Sequence, residues 1–580
     1  MHRRDFAINQ RLVLLSGFAL VIGVIGTVSA WVLLGAINLF TNLFFYHTVS
    51  LASRSPADNA LGPWVILVPV LGGVIIGLMC RYGSEKIRGH GIPEALEAIL
   101  YGKSRMSPKV AVLKPLSSGI VIGSGGPFGA EGPIIMTGGA MSSLLAQAFH
   151  LTSAERKALL VAGACAGMTA VFGTPLAAVL LAVELLLFEL RPRSLLPVAL
   201  ACGVAALLRP LWANAGPLFP LETVSPTPLA LLSCAAAGLA CGALSAGLTT
   251  ALYRVEDLFG KLPVHWMWWP AIGGLAVGIG GYVEPRALGV GFDVINDLLT
   301  NHLMLSAVVA LLAVKAVIWV IALGSGTSGG VLAPLLMMGA GLGCLIGPWL
   351  PGGDPRLWAL VCMAATLGGT MRAPLTATAF AFGLTHDVNA FVPTLLASVV
   401  AYGLTVIVMP RSILTEKIAR RGRHVFREYG VDPLERHFVD EVMTRDVVYI
   451  EGSMTVRDVL KAYFGPNQAH RAYPVVADDR LIGVIDRERL SRVPVEATGS
   501  RVASLLQDTE VHYALPGETC RAVGARMAVL GVERLPVVAS GEDRALVGII
   551  SRSDLLKVLR QVHEEESRRE RLLIRNTSSA

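Results

Sequence analysis

Charge is what this sequence has least of. Only 16% of its 580 residues are Asp, Glu, Lys or Arg, against 53% hydrophobic. With a mean hydropathy of +0.60, that excludes a string of soluble domains, although the length would hold roughly three or four. Aromatics are also few, 7% beside 61 glycines. A spanning barrel alternates apolar and polar residues and would dilute the average, so an outer-membrane porin is excluded and close-packed membrane helices are implied. The cysteines are dispersed, seven of them in apolar runs and Cys520 in the polar tail, which gives neither a disulfide framework nor a zinc motif. No His/Glu metal pair and no nucleophile beside a base is legible, so no residue takes a catalytic or metal-ligating role, no enzyme is expected and no cofactor is required. The formal charge of +7 is modest and does not argue for nucleic acid.

What is present is a run of apolar segments confined to roughly the first 410 residues. Segments long enough to cross a bilayer are Leu12 to Phe45, Trp64 to Cys80, Pro175 to Leu190, Leu195 to Leu208, Leu229 to Leu252, Trp266 to Val283, Leu303 to Leu323 and Val392 to Met409. The start carries Arg3, Arg4 and Arg11 before a stretch too long for a signal-peptide core. It reads as a first membrane helix. The positive-inside rule puts both this end and the arginine-rich junction around 420 in the cytoplasm, giving an even number of crossings in an inner (plasma) membrane.

Gly and Pro interrupt many of the apolar stretches, which favours broken helices meeting inside the membrane. Residues 123–140, GSGGPFGAEGPIIMTGGA, lie over 324–341, GSGTSGGVLAPLLMMGAG, without a gap. A second pair follows in the same order, with Pro175 over Pro374. The membrane region is therefore a duplication with a half-length of about 200 residues, and an even total built from two odd halves makes the repeats inverted. The tail repeats as well. RAYPVVADDRLIGVIDRERL from Arg471 and ERLPVVASGEDRALVGIISRSDLL from Glu533 read as two βαββα modules of about 60 residues each. The expected organisation is a membrane domain over 1–425 with repeats near 11–210 and 228–425, a soluble α/β pair over 430–562 with copies near 437–495 and 500–560, and a charged tail, 563–580.

Three segments share one grammar, glycines before a proline that opens a helix: Gly89-His90-Gly91-Ile92-Pro93, Gly129-Ala130-Glu131-Gly132-Pro133 and Gly330-Val331-Leu332-Ala333-Pro334. Proline suits the first helical turn, and glycine lets free N–H groups turn toward one point. Helix N-termini carry positive partial charge, so several converging make a site for a small anion without a full countercharge. The alternative is that these are only tight packing points. Three with one grammar, two of them related by duplication, weigh against it. Glu131 is the odd residue: a carboxylate among helix starts competes with an anion for the same donors, which makes it a candidate gate. The plainer alternative is a carboxylate capping its own helix. Its duplicate position is Leu332, so the gate would exist in one half only.

These motifs resemble the CLC family of chloride channels and proton-coupled chloride transporters. GHGIP is similar to that family's GSGIP, GAEGP to GREGP and GVLAP to GxFxP; Lys114 matches a pore-electrostatics lysine, and RSILTEKIARRG from Arg411 matches the final membrane helix. The resemblance implies an α-helical polytopic fold with inverted repeats and a homodimer with one pore per subunit. Chloride would sit on the backbone around Gly91, Ile92, Ala130, Gly132, Val331 and Leu332. The departures are specific. His90 replaces an anion-contacting serine, Ala130 an arginine, Leu414 the central pore tyrosine, and Leu185 the inner proton-transfer glutamate, while its neighbour Glu184 is retained as a candidate substitute on the proton path. With those ligands changed, the expectation is passive or weakly proton-coupled chloride movement; the alternative is a stoichiometric H+/Cl− antiporter.

The tail resembles a tandem CBS pair, which implies an adenine nucleotide (ATP, ADP or AMP), with Ser551 and Asp554 at the ribose and a degraded first copy carrying Asp486 and Arg489. A pair that only supports the dimer is the alternative. A CBS-regulated divalent cation transporter is the distant second reading, disfavoured because cation sites need converging carboxylates or carbonyls.

Overall fold

The computed structural model describes residues 11–425, 432–465, 470–507 and 509–567. Arg3 and Arg4 at the start and residues 568–580 of the charged tail lie outside the described residues. Two compact units are present, one within 11–425 and one within 432–567.

In the first unit, seven helices among the described residues are long and apolar enough to cross a membrane, including Arg11–Tyr46, Pro228–Gly260 and Leu305–Gly324. They surround two helices that the hydrophobic runs missed, Ser153–Phe172 and Pro355–Met371, which are buried over nearly their whole length. Both are rich in Ala, Gly, Thr and Cys, small residues that let backbones approach closely. Glu155, Arg156 and Lys157 in the first turn of one further lower its hydropathy. The Pro175 to Leu190 run is corrected in the other direction. It forms only a short helix, Pro175–Leu181, that widens into a π-helical turn over Ala182–Leu187 and stops at Phe188, whose φ is 53°. Apolar length there reflects burial in the protein, not a crossing.

The duplication is visible as reciprocal contacts. Gly129 and Gly330, equivalent residues of the two halves, exchange N–H···O bonds of 3.3 and 2.9 Å in an antiparallel bridge. An antiparallel exchange between equivalent residues requires the two halves to be related by a local two-fold axis. Pro69 and Gly73 face Pro270 and Gly274 in the same way: a Cβ on Gly73 would lie 2.3 Å from the Pro270 carbonyl, and one on Gly274 2.3 Å from the Pro69 carbonyl. Only glycine permits that helix crossing. Pro175 and Pro374 each open a helix, and the helices before them end on left-handed residues, Gly173 (φ 73°) and Arg372 (φ 55°). The Arg372 guanidinium donates to the carbonyls of Thr405 (2.8 Å) and Met409 (2.5 Å), which helps hold that residue there.

The second unit contains the two modules. In the first, strand Ile450–Glu451 runs parallel to Ala472–Ala477, which pairs antiparallel with Arg480–Asp486. In the second, Arg534–Val538 pairs antiparallel with Leu546–Ser551. Each hairpin is irregular at the same point of its Pro-Val-Val-Ala sequence, between Val475 and Val476 and between Val537 and Val538. Each module has its own apolar core, around Val456, Tyr473 and Ile485 in one and Val523, Leu535 and Ile550 in the other. The chain before the first module belongs to the second core: Val439 is buried there, and Thr444 exchanges two 2.9 Å backbone bonds with Ile549.

Candidate anion pathway

Helix starts at Ile92, Glu131 and Leu332 converge, because their flanking glycines remove every side chain that would hold them apart. A Cβ on Gly132 would lie 1.9 Å from the His90 carbonyl, and one on Gly91, where φ is 88°, 2.9 Å from the Gly132 carbonyl. Pro93, Pro133 and Pro334 each sit in the first turn of their helix. The residues singled out in the three motifs are thus brought together, with His90, Ala130, Gly132, Val331 and Leu332 all buried.

Glu131 does not cap its own helix alone. Its fully buried carboxylate reaches across to the other repeat, where Oε1 accepts from the backbone N–H of Leu332, its own duplicate position, and the amides of Ala333 and of Glu131 itself also face it. Oε2 has no partner. Gly129 and Gly330 form the cradle: a Cβ on either would fall 1.9 to 2.5 Å from a carboxylate oxygen. The first donors of the Leu332 helix are therefore engaged by the Glu131 carboxyl group, and a ligand using them must displace it.

Lys114 is wholly buried and braces the loops that lead into two of these helices. Its ammonium donates to the carbonyls of Ile87 (2.9 Å) and Gly89 (2.8 Å) and to Ser328 Oγ (2.9 Å). The duplication has a second copy of this device, outside the three motifs. Lys315, equally buried, donates to the carbonyls of Ala287 and Gly289, both at 2.9 Å, ahead of the helix Phe292–Leu299. The sequence signal was there: Gly289-Val290-Gly291-Phe292 lies over Gly89-His90-Gly91-Ile92 at the repeat offset. It lacks the proline that defined the motif.

A cavity of about 630 Å³ runs from exposed Glu85, Lys86, Arg420 and Arg423 inward to His90. The His90 side chain is buried, and neither ring nitrogen has a partner among the described residues. Glu94 anchors the wall, accepting from the Gly91 amide (3.1 Å) and pairing with Lys417 (3.3 Å) and Arg421 (2.9 Å). Leu414, in the helix Ile413–Arg420, is buried and offers no polar atom. Tyr253, which sequence reasoning missed, lines the cavity, but its hydroxyl is held on the Ile413 carbonyl at 2.5 Å.

Glu184 stands elsewhere. Its carboxylate accepts from the Thr376 amide (2.7 Å), the Thr376 hydroxyl (2.6 Å) and the Leu375 amide (3.3 Å), capping the helix Pro374–Thr385, and Leu185 beside it is buried and apolar. Neither lines the cavity. In the second unit, Asp554 Oδ2 accepts from the Ser551 amide (2.9 Å) and hydroxyl (2.6 Å), and Oδ1 pairs with Lys557 at 2.5 Å. Burial opposes ionisation there, but Lys557 and Ser551 outweigh it and hold the carboxyl below its ordinary range. In the first module Asp486 caps its helix through the Arg489 amide, and Arg489 donates to Leu505 and Thr509.

The voltage-gated chloride channel family model matches residues 72–406, more than half of the chain. This protein is a member of the CLC family. It is an integral membrane protein of a family of anion channels and transporters, and CBS domain models match residues 439–496 and 502–561. The chain is 30% identical over 400 residues to the voltage-gated ClC-type chloride channel ClcB of Salmonella dublin, covering 66% of this chain and 94% of that protein. It is 26% identical over 607 residues to chloride channel protein CLC-f of Arabidopsis thaliana, covering 87% and 74%. Among solved structures, a eukaryotic CLC transporter aligns with a TM-score of 0.62 at 20% identity over 94% of this CLC protein and 98% of that chain. A slow cyanobacterial Cl−/H+ antiporter aligns at 0.61, also at 20% identity, over 72% and 99%.

Proposed function

We propose that this protein moves chloride through a pathway built on the helix starts at Ile92, Glu131 and Leu332, with Glu131 as the gate, and that movement is channel-like or only weakly coupled to protons. The observation that carries the reading is the Glu131 carboxylate seated on the Leu332 amide. An anion and this carboxylate need the same donors, so protonating or displacing Glu131 frees the site. Backbone around Gly91, Ile92, Ala130, Gly132 and Val331, together with the His90 ring, supplies the remaining anion contacts, and Lys114 supplies a fixed positive field. Leu414 contributes shape without a ligand.

Weak coupling follows from what the proton path lacks. Leu185 carries no proton, and Glu184 is held by three donors. The stoichiometric antiporter is the second reading, favoured by the solved neighbours that are described as antiporters. We place both the N-terminus and the CBS pair in the cytoplasm, the protein in the inner (plasma) membrane as a homodimer, and an adenine nucleotide at Ser551 and Asp554. Reconstitution into liposomes with simultaneous chloride and pH recording tests the function. Chloride flux that is raised by acid and loses this dependence in Glu131→Gln supports it; flux that stops in a folded Glu131→Gln dimer overturns the gate.

A further inference from the structure

We propose that Arg88 is an anion ligand on the cavity wall, a capture site where chloride binds before it reaches the helix start at Ile92. The inference rests on the transport reading above and adds to it a residue that lies outside the three glycine-proline motifs.

The Arg88 guanidinium lines the cavity and lies 5.1 Å from the ring centres of both Trp266 and Trp269. Stacking on indole faces fixes the plane of a guanidinium and uses none of its N–H groups. Among the described residues no hydrogen bond and no ion pair reaches this guanidinium. Glu85 and Glu256 also line the cavity and act on Arg88 at longer range, without pairing with it. Other basic groups of the wall are engaged: Lys417 by Glu94, Arg420 by Asp257, Arg421 by Glu94 and Glu97, and Arg423 by Glu97. Arg88 thus brings an unpaired charge and a planar set of donors to a water-filled entrance.

Packing does not explain the arginine, because the duplication holds the same position without one. Leu288 precedes Gly289 as Arg88 precedes Gly89. The two side chains cover equivalent glycines of the opposite repeats. A Cβ on Gly326 would lie 2.5 Å from Arg88 Nε, and one on Gly125 would lie 3.2 Å from Leu288 Cδ2. Both glycines have left-handed backbone, with φ of 83° and 97°. The aromatic bracket is one-sided as well: Trp266 and Trp269, just before Pro270, correspond to Val65 and Val68, just before Pro69. Leucine, with valines at the bracket positions, therefore suffices to close this corner of the fold, and Leu288 is buried at 2% exposure. The copy that carries an arginine and two tryptophans is the one that faces the cavity.

An anion on Arg88 gains charge-assisted hydrogen bonds from a fork that the tryptophans already hold in place. Because this contact precedes the helix starts, losing it changes how much chloride is needed to fill the pathway, not the later passage at Glu131.

The test is chloride flux through the full-length protein in liposomes as a function of chloride concentration, with the unfolding temperature measured beside it. Arg88→Leu copies the duplicate position, so it should keep the wild-type unfolding temperature. It should raise the half-saturating chloride concentration about five-fold or more and keep the maximal rate within about two-fold. Arg88→Lys, which keeps the charge and loses the fork, should fall between the two. Arg88→Gln carries the expectation of Arg88→Leu if the leucine variant does not assemble. An unchanged half-saturating concentration in Arg88→Leu removes the site. A lysine variant equal to wild type reduces Arg88 to a point charge, and failure of both neutral variants to assemble makes it structural; either result overturns the ligand. Acid activation should persist in every Arg88 variant, and its loss would place Arg88 at the gate and overturn the capture site. Absence of chloride flux in the wild type strikes the transport reading itself, and Arg88 with it.

Discussion

Two carboxylates of the first repeat reach across to helix starts of the second, Glu131 to Leu332 and Glu184 to Leu375 and Thr376. The devices look alike and differ in how completely they are satisfied. Glu184 has donors on both oxygens, one of them a hydroxyl, and the helix it caps begins with a proline that lacks an N–H. Glu131 sits against a glycine cradle with one oxygen unpartnered among the described residues. A saturated cap is hard to remove; an unsaturated one can leave when a competing anion or a proton compensates the helix start. On the proposed reading, the same contact is a rivet in one place and a gate in the other.

The largest effect expected is on Glu131. Glu131→Gln should abolish acid activation and leave chloride flux at neutral pH equal to or above wild type, measured by chloride efflux from liposomes. The sign follows from competition: acid neutralises the carboxylate, which releases the Leu332 donors, so wild-type flux rises as pH falls and the variant's does not.

Next is Gly129→Ala. The atoms nearest an added Cβ are all in the Glu131 carboxyl group, so the methyl should expel the carboxylate and weaken acid activation several-fold. In a Glu131→Ala background it should be nearly silent. A large effect of Gly129→Ala in that background would mean that the loop itself, not the gate, was disturbed.

Glu184→Ala should act on stability. It leaves two amides and a hydroxyl without their carboxylate, a loss of roughly 1 to 3 kcal/mol, read as a lower unfolding temperature in detergent, while acid activation persists. Persistence of full stability would remove the contrast between the two caps.

How much of this was legible in sequence depends on distance along the chain. The three helix starts and the duplication were readable because glycine, proline and repeat offset are local signals. Leu332 was recognised as the duplicate of Glu131, but nothing in the sequence says that a carboxylate caps its duplicate's helix as well as its own. Glu184 was singled out as the retained neighbour of Leu185, but its partners Leu375 and Thr376 lie in the other repeat, so the cap it forms was not legible. Lys315 was not legible because the three motifs share a proline after the glycines, where this copy has Asp293. Ser153–Phe172 and Pro355–Met371 escaped because a helix buried by other helices need not be strongly hydrophobic. The crossing of residues 437–444 to the second CBS sheet is a tertiary choice that a repeat comparison cannot see.

The smallest effect on transport is expected in the CBS pair. Asp554→Ala should weaken adenine nucleotide binding by roughly 1 to 3 kcal/mol, read by calorimetry on the full-length protein, with transport in nucleotide-free liposomes little changed. Because the folded-state carboxyl is held low, Asp554 contributes stability above its unfolded value, and that contribution disappears as pH falls through the folded value. Unaltered nucleotide binding in Asp554→Ala would assign the Asp554 turn to structure alone.

The measurement that tests the central claim most directly is chloride efflux from liposomes as a function of pH, for wild type, Glu131→Gln and Glu184→Gln side by side. The account predicts acid-activated flux in wild type and Glu184→Gln, and pH-independent flux at or above the wild-type rate in Glu131→Gln. Acid activation that survives in Glu131→Gln, or that vanishes in Glu184→Gln instead, would contradict it.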